Sequence, residues 1–334
     1  MKEEILLSIC IPTYDRVAIL EPILDSIFQN LNYDWLEVLV VDDNPEKQIL
    51  SPFFEYEQKW KNFKYVKNPI RLGVVRNITN CLELSKGKYV TLLKDTDYIN
   101  YDLVLKLKDD LILGEVNSVF TEVSFKEKGV KYSYIKKDKR VKRVKKIRDV
   151  ISVYRSHGTP GFILKKEKID FFFLKNNEMD PANIYAQTMA GIMVALKGSV
   201  MFVKSDLNLI RLSPAHSNLA SYYTKNNSNS NWNLELKLPY NHPKNSIIIL
   251  KYFHNKLNVL ASELSKEGVV VKKMIGYQLA YHYIYAISNF DYSNQEKREY
   301  FISLTKIKGV KFYFIYYFSV KYLLKLRREF FKKN

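Results

Sequence analysis

Two carboxylates one residue apart, in Asp95-Thr96-Asp97, follow the short apolar run Gly87-Lys88-Tyr89-Val90-Thr91-Leu92-Leu93. Oxygen ligands at that spacing suit a hard divalent cation such as Mg²⁺ or Mn²⁺. Such a cation neutralises a diphosphate and stabilises it as a leaving group. The triplet would serve equally well as a solvated turn or a helix cap, so its place in the fold matters more than its letters. A second acidic pair, Asp42-Asp43, ends another apolar run, Glu37 to Val41. The remaining reactive residue types are sparse. His157 and His216 lie in loop-like sequence, where ordinary loop histidines are common, although His216 could fold back onto a diphosphate or cation. Cys10 and Cys81 fall in apolar surroundings and read as small core residues. There is no Cys/His zinc spacing, no nucleophile elbow, no Walker-type loop and no Gly-x-Gly-x-x-Gly after a strand.

The elements that must position these carboxylates alternate along the first ~125 residues. Leu6 to Ile11 reads as a buried strand stopped by Pro12. Ala18, Ile19, Ile23, Ile27 and Leu31 follow at helical spacing, with Tyr14-Asp15 as a cap and Pro22 either inside the helix or in its true first turn. Glu37 to Val41 is a second strand, after which Pro45 is suited to opening a helix. Phe63 to Val66 and Lys88 to Leu93 are further strands. Between them Gly73 to Ser85 reads as a helix closed by Gly87. A helix over Tyr101 to Leu113 and a strand over Val116 to Val123 come next. Phe162 to Leu164 and Val200 to Val203 add strands around a helix near Ile184 to Leu196. Repeated strand–helix units predict an α/β fold with a mostly parallel sheet and helices on both faces. Ligands of such sheets bind beyond the carboxyl ends of the strands, where both acidic clusters fall.

Four segments then occur in order. They are Ser8-Ile9-Cys10-Ile11-Pro12-Thr13-Tyr14-Asp15-Arg16, Val40-Val41-Asp42-Asp43-Asn44, Gly73-Val74-Val75-Arg76-Asn77, and Gly87-Lys88-Tyr89 running into Asp95-Thr96-Asp97. Over residues 5–100 the set resembles the nucleotide-sugar half of the family 2 glycosyltransferases of the GT-A fold, the type found in bacterial polysaccharide, O-antigen and capsule biosynthesis. Residues 158–212 resemble the acceptor half more loosely. The resemblance implies that Pro12, Thr13 and Tyr14 line the nucleotide base and ribose. It implies that Asp42 or Asp43 accepts hydrogen bonds from them, with Asp43 preferred. Arg76 would reach the ribose or diphosphate, and Asn77 would be a helix-surface or packing residue. Asp95 would meet the ribose or the metal, Asp97 the metal and diphosphate, and His216 is carried as a further metal ligand. Lys94 and Thr96 depart from the common form of the triplet, and Lys94 counts against metal affinity. Inverting transfer needs a general base. The family places one at a helix start roughly 80 residues past the triplet, where Asn177-Glu178-Met179-Asp180-Pro181 stands. Asp180 is preferred over Glu178, although Asp180 before Pro181 also makes a good cap. The implied activity is sugar transfer from a nucleotide-diphosphate donor to a hydroxyl of a lipid-linked or polysaccharide acceptor, with inversion and a divalent cation.

Charge separates the halves. The 334 residues carry a formal +18, yet residues 1–135 hold 17 basic and 21 acidic side chains against 36 and 14 in the rest. With 47% apolar residues the chain is neither disordered nor uniformly basic, and its length fits about two domains. We expect a GT-A-like domain over 1–215 and a helical basic region over 216–334. Lys136 to Arg148 and Lys306 to Asn334 each net +8. In the tail, Lys321, Lys325, Arg328 and Lys332 form one helical stripe, with Leu323, Leu326 and Phe330 roughly opposite. That pattern fits an interfacial helix on anionic lipid, or else a packed helix with a solvated face. No nucleic-acid-binding motif accompanies the charge. Met1-Lys2-Glu3-Glu4 does not open a secretory signal, and no apolar run is long enough to span a bilayer. The expected place is therefore the cytoplasm, peripheral on the cytoplasmic face of the membrane. Two rival readings are a sugar nucleotidyltransferase, whose Gly-rich N-terminal phosphate loop is missing, and a non-enzymatic basic membrane- or nucleic-acid-binding protein. Deleting residues 310–334 should weaken sedimentation with anionic vesicles; equal binding by the truncated chain would return the tail to a packing role.

Overall fold

β1 (Leu7–Thr13) and β2 (Leu36–Asp42) are almost entirely buried, which suits strands covered on both faces. β3 is Phe63–Lys67, β4 Tyr89–Leu92, β5 Tyr98–Ile99, β6 Ser118–Glu122, β7 Lys139–Val141, β8 Phe162–Lys165, β9 Val200–Asp206 and β10 Asn208–Leu209. The large sheet has the order β3-β2-β1-β4-β8-β6-β9-β7. In it β1, β2, β3 and β4 run parallel to one another, β6 and β9 are parallel, and β8 and β7 run against their neighbours. β10 and β5 make a separate antiparallel pair. Helices α1 (Val17–Asn30), α2 (Ser51–Lys59), α3 (Val74–Leu84) and α4 (Tyr101–Leu113) connect the strands, and Ala186–Leu196 forms a further helix before β9. The predicted α/β architecture with a mainly parallel sheet is the one observed. The computed structural model describes residues 4–46, 51–122, 135, 137–144, 149, 153, 161–175, 186–209, 276, 280, 293–306, 311–316 and 318–319.

The chain divides into two compact units, Met1–Met179 with Asn183–Leu212, and Ser213–Asn334 with Asp180–Ala182. The first holds the sheet. In the second, the helix Asn294–Thr305 is described, and Phe301 packs against Phe314 and Phe318 with ring centroids 5.3 and 5.1 Å apart. The stripe Lys321 to Lys332 lies outside the described residues.

Local chemistry explains where elements depart from expectation. The run predicted to stop at Pro12 continues to Thr13. β4 pairs with β1 only as far as Leu92 opposite Cys10, so β2 alone flanks Pro12 in an edge-like place that tolerates a missing N–H. Tyr14-Asp15 does not cap α1. Asp15 takes the left-handed conformation at φ 55°, Arg16 is the residue at the cap, and Pro22 lies inside the helix. Pro45 does not open a helix either. The Asn44 side chain accepts the Glu46 N–H at 3.2 Å in a local turn, and α2 begins at Ser51 with Pro52 in its first turn, where no N–H is needed. α4 matches the predicted span. The Asn100 side chain accepts the Leu103 N–H at its start, and Gly114 ends it in the left-handed conformation.

Lys136 to Arg148, read as surplus positive charge, contains the outer strand β7. Lys139 pairs there with Asp149, and Arg140 with Asp110 and Glu115. Basic side chains on an outer strand also discourage edge-to-edge association. Gly87, read as a helix stop, lies beyond Ser85, the residue that ends α3. It is needed for close packing instead. A β-carbon there would come within 2.6 Å of the Ser8 backbone nitrogen and the Tyr89 carbonyl oxygen. The Gly87 N–H donates to the Ser8 hydroxyl at 2.8 Å, and that hydroxyl donates to buried Glu37 at 2.5 Å. Lys166 finishes the junction by donating to the carbonyls of Glu83 and Ser85 at the end of α3. Gly87→Ala should lower stability by about 1–3 kcal/mol, the range for forced overpacking, measured by urea unfolding. An unchanged midpoint would mean that the backbone shifts freely there.

Candidate functional site

The parallel register of β1 with β2 and β4 brings three strand ends to one edge of the sheet. Thr13 pairs with Asp42, and Leu93 N–H donates to the Cys10 carbonyl at 2.9 Å just before the triplet. Thr13 and Tyr14 therefore stand between the two acidic clusters. On the far side, Asn208 donates to the Leu92 carbonyl at 3.1 Å. Asn100 N–H donates to the Leu207 carbonyl at 2.7 Å, so the segment carrying β10 is laid beside the triplet.

Asp95 is buried, and both of its oxygens have partners. Thr13 Oγ1 donates to Oδ2 at 2.9 Å, and Arg16 Nη1 donates to Oδ1 at 2.9 Å. Burial pushes the Asp95 carboxyl above the usual carboxylate range, while the Arg16 charge and the Thr13 hydrogen bond pull it back down. Asp97 is fully buried, and its Oδ1 accepts from the Thr96 hydroxyl at 3.3 Å. Half-buried Lys94 joins the same electrostatic cluster. Burial lowers its ammonium, and the charges of Asp97 and Asp95 oppose that.

Asp42 and Asp43 have divided tasks. The Asp42 carboxylate accepts from the Tyr65 hydroxyl at 2.7 Å and the Asn44 N–H at 3.0 Å, and burial is the main cause of its raised pKa. Asp43 fastens the segment before α3. Its Oδ1 accepts from Asn68 at 2.9 Å and from the Leu72 N–H at 2.7 Å, and its Oδ2 accepts from the Gly73 N–H at 2.7 Å. Gly73, at φ 82°, supplies the left-handed residue that the turn into α3 requires. Asn77, expected to be a helix-surface or packing residue, is buried. It donates to the carbonyls of Thr13 at 3.3 Å and Val41 at 3.0 Å and accepts from Asn68 at 2.9 Å, tying α3 to the ends of β1 and β2. Arg76 is half-buried in the first turn of α3. The Arg71 guanidinium lies over the Tyr14 ring, 4.5 Å from its centroid.

The structure thus assembles Pro12, Thr13, Tyr14, Asp42, Asp43, Arg76, Asp95 and Asp97 at one end of the first unit. Glu178, Asp180, His157 and His216 lie outside the described residues. Arg16, quoted above only as part of its motif, is the residue whose role sequence reasoning missed. The sole signal was its place three residues beyond Thr13, at the start of a helix. Among the described residues no three of the His, Cys, Asp and Glu side chains are grouped as a metal site. A hard cation that works on a diphosphate needs only one or two protein carboxylates, its other ligands being phosphate and water oxygens. The donor set fits such an ion through Asp97.

Replacing Asp43 with Ala should free the amides of Leu72 and Gly73, since charge-assisted bonds of this kind contribute about 1.5–3 kcal/mol. Hydrogen exchange at those two amides should accelerate by roughly tenfold or more. Unchanged protection would show that other contacts hold the segment.

Comparison with known proteins agrees with this geometry. Residues 8–196, more than half of the chain, match the family model described as glycosyl transferase family 2. An uncharacterized glycosyltransferase of Mycoplasma pneumoniae is 33% identical over 103 residues, covering 29% of this chain and 33% of that protein. The GalNAc(5)-diNAcBac-PP-undecaprenol beta-1,3-glucosyltransferase of Campylobacter jejuni is 34% identical over 92 residues, 27% of this chain and 29% of that one. The chain thus spans about a third of the length of these curated relatives. The crystal structure of S. aureus TarS 1–349 in complex with UDP superposes with a TM-score of 0.59 at 15% identity, covering 89% of this chain and 78% of that one, which is a likeness of fold. On the family match, the chain belongs to glycosyl transferase family 2.

Proposed function

We propose that this protein transfers a sugar from a nucleotide-diphosphate donor to a hydroxyl of a lipid-linked or polysaccharide acceptor, with inversion at the anomeric carbon. The observation that carries this reading is the buried Asp95-Thr96-Asp97 turn at the carboxyl end of β4, beside Thr13 at the end of β1. Complexes of S. aureus TarS with UDP and with UDP-GlcNAc support a nucleotide-sugar donor for this fold. The name of the Campylobacter jejuni relative, a glucosyltransferase acting on an undecaprenol-linked chain, supports a lipid-linked acceptor.

In this proposal residues 1–215 carry the chemistry. Pro12, Thr13 and Tyr14 face the base and ribose, together with an acid from the Asp42-Asp43 pair. Arg76 donates to the ribose or diphosphate as a fixed positive charge. Asp97 would hold a divalent cation that neutralises the departing diphosphate. Asp180, or else Glu178, takes the proton of the acceptor hydroxyl, which attacks the anomeric carbon opposite the leaving phosphate. A buried, preorganised edge suits this work because its charges need not reorganise as the bond breaks.

Residues 216–334 would hold the enzyme at an anionic surface on the cytoplasmic face of the membrane. Among the described residues no helix is long and apolar enough to cross a membrane. Phe312, 74% exposed, and Tyr316, 51% exposed, stand one helical turn apart near Lys311, a mix of aromatic and basic side chains that suits an interface.

Asp97→Asn should reduce nucleotide-sugar turnover by roughly a hundredfold or more while leaving the circular dichroism spectrum unchanged. A panel of nucleotide sugars, assayed for nucleoside-diphosphate release with and without Mn²⁺, gives the measurement. Turnover at the wild-type rate in the variant would overturn the proposed role of the triplet.

A further inference from the structure

The first carboxylate of the triplet already has a cation of its own. Arg16 Nη1 lies 2.9 Å from Asp95 Oδ1, with the two side chains only 22% and 12% exposed. A guanidinium does not lose its proton in a protein, so this charge is permanent. The other oxygen of Asp95 accepts the Thr13 hydroxyl at 2.9 Å. A divalent cation bound to Asp95 would compete with the hydrogen bond already made to each of its oxygens and would approach the like charge of Arg16. Asp97, two residues on and fully buried, carries the second carboxylate. Lys94 interacts electrostatically with both acids. Among the described residues, the two carboxylates thus stand with two cationic side chains, Arg16 and Lys94.

Building on the reading of this edge as a diphosphate and cation site, we propose that Arg16 is a positioning residue that keeps Asp95 out of the metal's ligand shell. Asp97 then supplies the triplet's only carboxylate to the cation. With the positive charges of Arg16 and Lys94 beside the two acids, a divalent cation meets like charge when it enters alone. The negative charge of the nucleotide diphosphate is what makes its entry favourable, so cation loading follows or accompanies the donor. Thr13 shares the task by orienting the same carboxylate.

The test measures Mn²⁺ binding to the full chain by electron paramagnetic resonance and needs no turnover. The wild type should bind Mn²⁺ weakly by itself and at least about tenfold more tightly with UDP. Arg16→Gln should bind Mn²⁺ alone about tenfold more tightly than the wild type, since an opposite charge at this distance shifts the balance at a carboxylate by one unit or more. Arg16→Lys, which keeps the charge, should stay near the wild type. The double variant Arg16→Gln with Asp95→Asn removes both charges and should also return to the wild-type affinity. Asp97→Asn in the Arg16→Gln background should abolish the gain. Thermal melts check that each variant is folded. Equal or weaker Mn²⁺ binding by Arg16→Gln would overturn the proposal, as would a gain that survives Asp97→Asn. If the titrations behave as expected but no nucleotide sugar is turned over, the transferase reading fails while the role of Arg16 stands.

Discussion

A strand flanked on both sides by parallel neighbours sends its own carboxyl end and both of theirs out of the sheet in the same direction. β1 is that strand, with β2 and β4 beside it. Thr13, Asp42 and the Asp95-Thr96-Asp97 turn are therefore neighbours whatever the intervening loops do. The same geometry imposes a cost, because strand ends of a covered sheet are poorly hydrated and ionised carboxylates there need partners. Much of the architecture around this edge meets that need.

Each acid is met by a different element. Asp95 takes a hydroxyl from β1 and a guanidinium from the start of α1. Asp43 takes two backbone N–H groups and an amide from the segment between β3 and α3. Asp42 takes the Tyr65 hydroxyl from β3. Satisfying the acids thus also fixes the loops that would hold a ligand. Asn77 extends this by crossing from α3 to the carbonyl ends of β1 and β2. At the opposite end of the strands, Ser8, Glu37 and Gly87 form a second polar clasp.

Much of this was legible in the letters. An apolar run stopped by Pro12 marked β1, runs leading into acids marked β2 and β4, and helical spacing placed α4 at its observed span. Asn77 was read as a helix-surface or packing residue, and the fold buries it. Less legible was anything decided by side chains reaching across the chain. The cap of α1 moved because Asp15 turns into the left-handed region, which an aspartate tolerates but does not demand. The role of Gly87 depends on Ser8, 79 residues away, which comes too close for a β-carbon. The basic segment around Lys139 and Arg140 looked like free positive charge until Asp149, Asp110 and Glu115 were brought beside it.

By itself the sequence determined the α/β class, most of the strands, the identity of the acids at their ends and the family resemblance that the comparison bears out. These are local or ordered features, written in periodicity and in the residue types that end a strand. Only the tertiary structure decided which partner each acid holds. Arg16 and Asp95 are 79 residues apart in the chain and 2.9 Å apart in space. That pairing arises because parallel strands carry the start of α1 and the end of β4 to the same edge, and burial there makes a counter-charge necessary.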